Sequence, residues 1–165
     1  MNHVLYLEAH IFQNEFNKSR LQKFPSALPQ GGILINKYQA HNVMADWKQL
    51  QKLALTEIET TLAALPKPLH EQAQKLPVTF EKVPNAGLQA DGIEKDTLGL
   101  FTGSEFADEG DSVLPAQIIL FLENLWDFAD GDEEIFCEEV RTTFLHELGH
   151  FFGLNENDLT ERGLD

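Results

Sequence analysis

Trp47, Leu50, Ala54, Ile58, Leu62 and Leu65 recur at three- and four-residue intervals, the spacing of one helix face. Asp46 before them is a candidate N-cap, and Pro66 and Pro68 stop the pattern, so a helix is expected from Trp47 to about Leu65. A short helix over His70–Leu76 follows. The period then changes to strict alternation at Val78-Thr79-Phe80-Glu81-Lys82-Val83, which predicts a strand ending at Pro84. Leu98–Thr102 is a second strand candidate. Ala116–Leu122 is the most apolar run and is therefore expected at the centre of a sheet. Between these two, Gly103–Ser112 is acidic and glycine-bearing and is expected to be an exposed connection. Ile135, Phe136, Val140, Phe144, Leu148 and Phe151 return to helical spacing and should face the core. A short terminal helix is expected over Glu156–Leu164. Helix, three strands and a long helix in that order predict an α+β domain with a small sheet packed on helices.

The long helix carries the chemistry. Its other side holds Glu139, Thr143, His146, Glu147 and His150, and the last three form H-E-x-x-H, followed by Gly153. Each helical residue turns the chain by about 100°, so His146 and His150 stand one turn apart on one face, where two imidazoles can share a metal ion. Glu147 lies beside them as a general base for a metal-activated water. Gly153 suits a left-handed residue that ends the helix and brings a downstream group back toward the metal. Composition alone produces H-E-x-x-H in roughly one shuffled chain in fifty, and the added glycine makes it roughly one in several hundred. The rival reading is a helix whose two histidines are solvated or hydrogen-bonded within a core. The acids Asp130, Asp132, Glu133 and Glu134 suit the start of the same helix.

Totals narrow the function class. The 165 residues suit one domain with a real core, preceded by an N-terminal extension over residues 1–44 that is hard to read. No apolar run is long enough to span a membrane, and Glu8 and His10 interrupt the N-terminal apolar stretch, so neither a membrane anchor nor a signal peptide is expected. The single cysteine, Cys137, excludes an internal disulfide and suits a reducing, cytoplasmic setting. It is placed about half a turn around the helix from His146, as a buried thiol and not a metal ligand. The net charge of −15 is uneven: residues 91–165 carry twenty acidic and three basic side chains. That argues against a nucleic-acid partner. It suits either attraction of cationic peptides and divalent metal or a solvated surface that aids solubility. Asp108, Glu109 and Asp111 lack the spacing of a calcium loop and are expected to be solvated.

Several segments, in order, resemble the bacterial minimal zincin-like metallopeptidase family, whose motif is H-E-x-x-H-x-x-G-x-x-[DE]. They are Leu98–Gly103, Leu114–Phe121, the motif helix through Gly153-Leu154, and Asp158–Gly163, within a likeness running from about Trp47 to the end. The resemblance implies a zincin-like α+β fold over residues 45–165, a small mixed β-sheet packed against helices including the H-E-x-x-H helix. It implies Zn2+ held by His146 and His150, with Glu147 as catalytic acid/base. It puts the third metal ligand at Glu156, where relatives often have Asp; Asp158 is the alternative. Larger metzincins have a methionine turn beneath the metal, but Met1 and Met44 are both upstream here, and no tyrosine lies downstream to steady an oxyanion. Arg162 is a candidate for that role, against a plainer one as a cation at a helix C-terminus.

The expected function is zinc-dependent hydrolysis of peptide bonds in a peptide or protein substrate, which could add as a strand to a sheet edge such as Leu98–Thr102. The alternative is a metal-binding or protein-interaction module of the same fold with little or no proteolysis.

Overall fold

The computed structural model describes residues 46–104 and 115–164. The extension over 1–44, with His3, His10, His41, Tyr6 and Tyr38, and the acidic loop residues Asp108, Glu109 and Asp111 lie outside that range. The elements are α1 (Trp47–Ala64), α2 (Lys67–Ala73), β1 (Val78–Glu81), α3 (Ala86–Ala90), β2 (Gly99–Thr102), β3 (Gln117–Phe121), α4 (Leu122–Phe128), α5 (Glu133–Phe151) and α6 (Glu156–Thr160). The fold is α+β.

The three strands form one mixed sheet in the order β1-β3-β2. β1 runs parallel to β3, pairing Val78 with Ile118, and β2 runs antiparallel to it, pairing Leu100 with Ile119. The most apolar strand is central, as its composition requires: Ile118 to Phe121 are all buried. β2 is thereby left as an edge of the described sheet. The strand is shorter than the apolar run predicts, because Leu122 begins α4 directly after Phe121. Leu122 and Leu125 are both fully buried. An unbroken apolar stretch does not mark where extended chain becomes helix. α1 ends at Ala64, before Pro66 and Pro68, as expected, but Pro68 also lies in the first turn of α2, which starts at Lys67, earlier than the expected His70.

α5 packs across the sheet and against α1. Phe136, Val140, Phe144 and Leu148 are at most 1% exposed and meet Leu50, Ala54 and Ile58 of α1 in one core. Burying each such side chain contributes about 1.5–3 kcal/mol. Ile135 departs from expectation: it is 43% exposed, since it neighbours Phe136 by a single residue and so points elsewhere around the helix. Arg141 of α5 and Glu57 of α1 form an ion pair 2.5 Å apart, with the Arg141 Nε–H also donating to the same carboxylate oxygen at 2.6 Å. The pair is mostly covered, so it fixes how the two helices sit. Cys137 is half-buried against the core. Among the described residues no helix is long and apolar enough to cross a membrane.

Candidate metal centre

α5 is a 19-residue rod with defined ends. The Asp132 carboxylate caps its start, accepting from the backbone N–H groups of Glu134 at 2.9 Å and Ile135 at 3.1 Å. Gly153, with φ of 80°, turns the chain away after Phe151. Burial concentrates in the second half, from Thr143 to Phe151, so the last two turns hold His146, Glu147 and His150 in fixed positions.

Their spacing performs as the helix geometry requires. The His146 and His150 rings lie 4.8 Å apart and their Nε2 atoms 3.1 Å apart. Each ring is tethered from behind. His146 Nδ1 lies 2.5 Å from the Leu164 carbonyl oxygen, and His150 Nδ1 lies 3.1 Å from that of Leu154. A carbonyl only accepts, so each Nδ1 must donate a proton. In the neutral rings both Nε2 atoms are then bare lone pairs, and two lone pairs facing each other cannot hydrogen-bond.

Glu156 completes the group. Its Oε1 is 3.1 Å from His150 Nε2 and its Oε2 is 3.7 Å from His146 Nε2. One ligand atom from each of His146, His150 and Glu156 lies within 4.8 Å of the others, a cluster able to hold a metal ion. Glu156 is there because Asn155 starts α6 with a capping box: its side chain accepts from Asp158 N–H at 3.1 Å, while Asp158 Oδ2 accepts from Asn155 N–H at 3.2 Å. That box occupies Asp158, the alternative ligand. Leu159 of α6 docks on Gly149, where a Cβ would meet Leu159 Cδ2 at 2.5 Å. Gly149, directly before His150, is thus small for a packing reason.

Glu147 faces the other way, toward the sheet. It is 8% exposed, and its Oε2 accepts from the Phe101 N–H of β2 at 2.7 Å. Leu98 directs its carbonyl to Phe121 N–H of β3 at 2.9 Å, so the Phe101 N–H belongs to the open edge of the strand. Gly99 permits the approach: a Cβ there would lie 2.5 Å from Thr143 Cγ2 and 3.1 Å from Glu147 Cγ. Burial is the main influence on Glu147 and pushes its carboxyl pKa up. The His146 ring, the Phe101 N–H and the His150 ring act against that, while Glu156 adds to it.

Arg162 is not exposed as a helix-terminal cation would be. Its side chain is 19% exposed, and its Nη1–H donates to the Asp158 carbonyl at 2.5 Å, tying the end of α6. Sequence reasoning had no place for Gly99, the Phe101 N–H, or the Leu154 and Leu164 carbonyls. Of these only Gly99 left a signal, as a glycine inside a strand.

No curated protein matches the chain. The profile of the zincin-like metallopeptidase family matches residues 73–164. The match starts later than the Trp47 expected from the resemblance and leaves α1 outside, but it spans more than half the chain and every residue of the cluster. The chain belongs to the zincin-like metallopeptidase family.

Proposed function

We propose that this protein is a zinc-dependent metallopeptidase, with His146, His150 and Glu156 as metal ligands and Glu147 as general base. One observation carries the reading: three electron-pair donors converge, and both imidazoles have committed their Nδ1 protons elsewhere. Bare nitrogens 3.1 Å apart beside a carboxylate call for a shared cation. Two imidazoles and one carboxylate are a donor set that suits zinc and leaves room for a further ligand. Zinc held there supplies Lewis acidity, lowering the pKa of a water and polarising a carbonyl.

The remaining steps belong to side chains and backbone. Glu147 takes a proton from the attacking water and returns it to the leaving amine. Its burial supports this, since a dry carboxylate with a raised pKa is a better base. A substrate strand pairs with the edge of β2, taking over the Phe101 N–H from the Glu147 carboxylate, which is thereby released toward the water. The acidic surplus of residues 91–165 favours cationic peptides over nucleic acid, and the single cysteine favours a cytoplasmic setting. Residues 45–165 form the peptidase domain in this reading.

A second reading, a metal-binding or interaction module with little proteolysis, is favoured by the absence of any tyrosine after Tyr38. Arg162 does not replace it, because its guanidinium is turned onto Asp158. A peptide library incubated with zinc-loaded protein and with its Glu147→Gln variant decides between them. Turnover lost in the variant supports the peptidase. Stoichiometric zinc without turnover in either protein supports the module.

A further inference from the structure

α5 and α6 end in the same way. Gly153 adopts φ of 80°, its N–H bonds to the His150 carbonyl at 2.9 Å, and Leu154 N–H bonds to the Gly149 carbonyl at 3.0 Å. Gly163 adopts φ of 67°, its N–H bonds to the Thr160 carbonyl at 2.9 Å, and Leu164 N–H bonds to the Leu159 carbonyl at 3.1 Å. Both are Schellman caps, with glycine in the left-handed position and leucine after it. Each leucine then offers its own carbonyl to one imidazole: Leu154 to His150, and Leu164 to His146. The first contact is local, only four residues apart. The second joins positions 18 residues apart and depends wholly on how α6 docks. Leu164 is 1% exposed and Leu159 is fully buried, both in the same core, as suits the apolar residues that flank such a cap.

We infer that Gly163 and Leu164 are positioning residues of the metal centre. Their cap fixes the tautomer and ring orientation of His146 from 18 residues away, as Gly153 and Leu154 do locally for His150. This rests on the reading of His146, His150 and Glu156 as a zinc site. The Leu164 carbonyl holds the proton on Nδ1 and so presents the Nε2 lone pair to the cluster. The Leu164 side chain does not touch the metal; it anchors the turn whose backbone does the orienting. Gly163 supplies the left-handed φ that a residue with a Cβ resists. Without the cap His146 is free to rotate about its ring bond and to exchange tautomers, and only part of its population then offers Nε2.

The test compares Leu164→Ala with Leu164→Met, which keeps the apolar anchor, and with Ile58→Val, a core change in α1, outside α6 and its cap. Zinc affinity is measured by competition with a chromophoric chelator. The tautomer of each histidine is read in the zinc-free protein from long-range 1H–15N correlations. Leu164→Ala is expected to lower zinc affinity roughly tenfold or more, the range for losing an orienting partner. It should also turn the single Nδ1–H form of His146 into a mixture while leaving His150 unchanged. Leu164→Met should restore both, and Ile58→Val should alter neither. If Leu164→Ala does not fold, Gly163→Ala keeps every backbone atom and should show a smaller loss with the same His146-selective signature. Folded Leu164→Ala with wild-type zinc affinity and an unchanged His146 tautomer overturns the inference alone. Wild-type protein that takes up no zinc overturns the underlying reading as well.

Discussion

The two glutamates of the centre are the same residue in opposite surroundings. Glu147 is 8% exposed, wedged between α5 and the edge of β2, and bonded to a backbone N–H. The Glu156 side chain is 73% exposed, on a helix of five residues held by a capping box and one docked leucine. The sheet side of the site is dry and built from core elements. The cap side is wet and built from local turns. In the proposed reading that difference suits a division of labour: a group whose basicity must be tuned needs burial, while a metal ligand needs only to arrive. It also predicts which substitutions damage chemistry and which damage metal affinity.

The largest effect is expected on the sheet side. Glu147→Gln should reduce peptide hydrolysis by roughly 10²–10⁴-fold, the usual worth of a positioned general base. Zinc content measured by mass spectrometry should stay stoichiometric. A variant that loses its zinc as well would break the separation between the two sides.

On the cap side, Glu156→Ala should weaken zinc binding by more than the roughly 10–100-fold that loss of an orienting partner costs. The zinc-free protein should keep its stability within about 0.5 kcal/mol, as for an exposed side chain. Asp158→Ala should show the reverse emphasis. Losing its half of the capping box should cost about 1 kcal/mol in denaturant unfolding, with a smaller effect on zinc. Equal zinc affinities for these two variants would return Asp158 to contention as the ligand.

Gly99→Ala sharpens the account of how Glu147 is held. The new methyl would sit 2.5 Å from Thr143 Cγ2, so β2 and α5 must separate, at a cost of about 1–3 kcal/mol. Thr143→Ser removes that methyl. Paired with Gly99→Ala it should recover part of the loss, visible as a non-additive double-mutant cycle.

The smallest effect is on pH dependence. Burial raises the Glu147 pKa in the folded, zinc-free protein, so between its unfolded and folded values the native state binds the extra proton. Stability is therefore greater below that window and falls as pH rises through it. The Glu147→Gln variant has no proton to lose there. Its melting temperature relative to wild type should rise with pH across the carboxyl range and then level off above the folded value. A constant difference at all pH values would show that burial does not raise the pKa.

Helices and strands separated in legibility according to how much each depends on distant partners. α1 and α5 announce themselves through sustained apolar periodicity, and the Asp46 cap, the acids around Asp132 and Gly153 mark their ends, because all these signals act within one or two turns. The site helix is equally local: His146 and His150 share a face whatever else the chain does. α4 was missed because Leu122 continues the apolar run of β3, and burial demands the same residue types from a covered strand as from a covered helix. The outward turn of Ile135 has the same origin, since apolar periodicity says which residues can face a core and not where the core stops.

The sequence by itself determined the α+β class, the central place of the apolar strand that became β3, and two imidazoles with an adjacent carboxylate on one rod. Backbone geometry sets which residues share a face, and hydrophobicity sets which face is buried. Only the tertiary structure decided that Glu156 and not Asp158 reaches the imidazoles, that Glu147 leans on the Phe101 N–H, and that the Leu164 carbonyl orients His146. Those contacts join positions far apart in the chain or distinguish near neighbours by direction. Each exists because packed surfaces, Leu159 on Gly149 and Gly99 on Thr143, bring backbone groups within hydrogen-bonding reach. A linear pattern records which side chains are small enough to allow such an approach, but not which partner will make it.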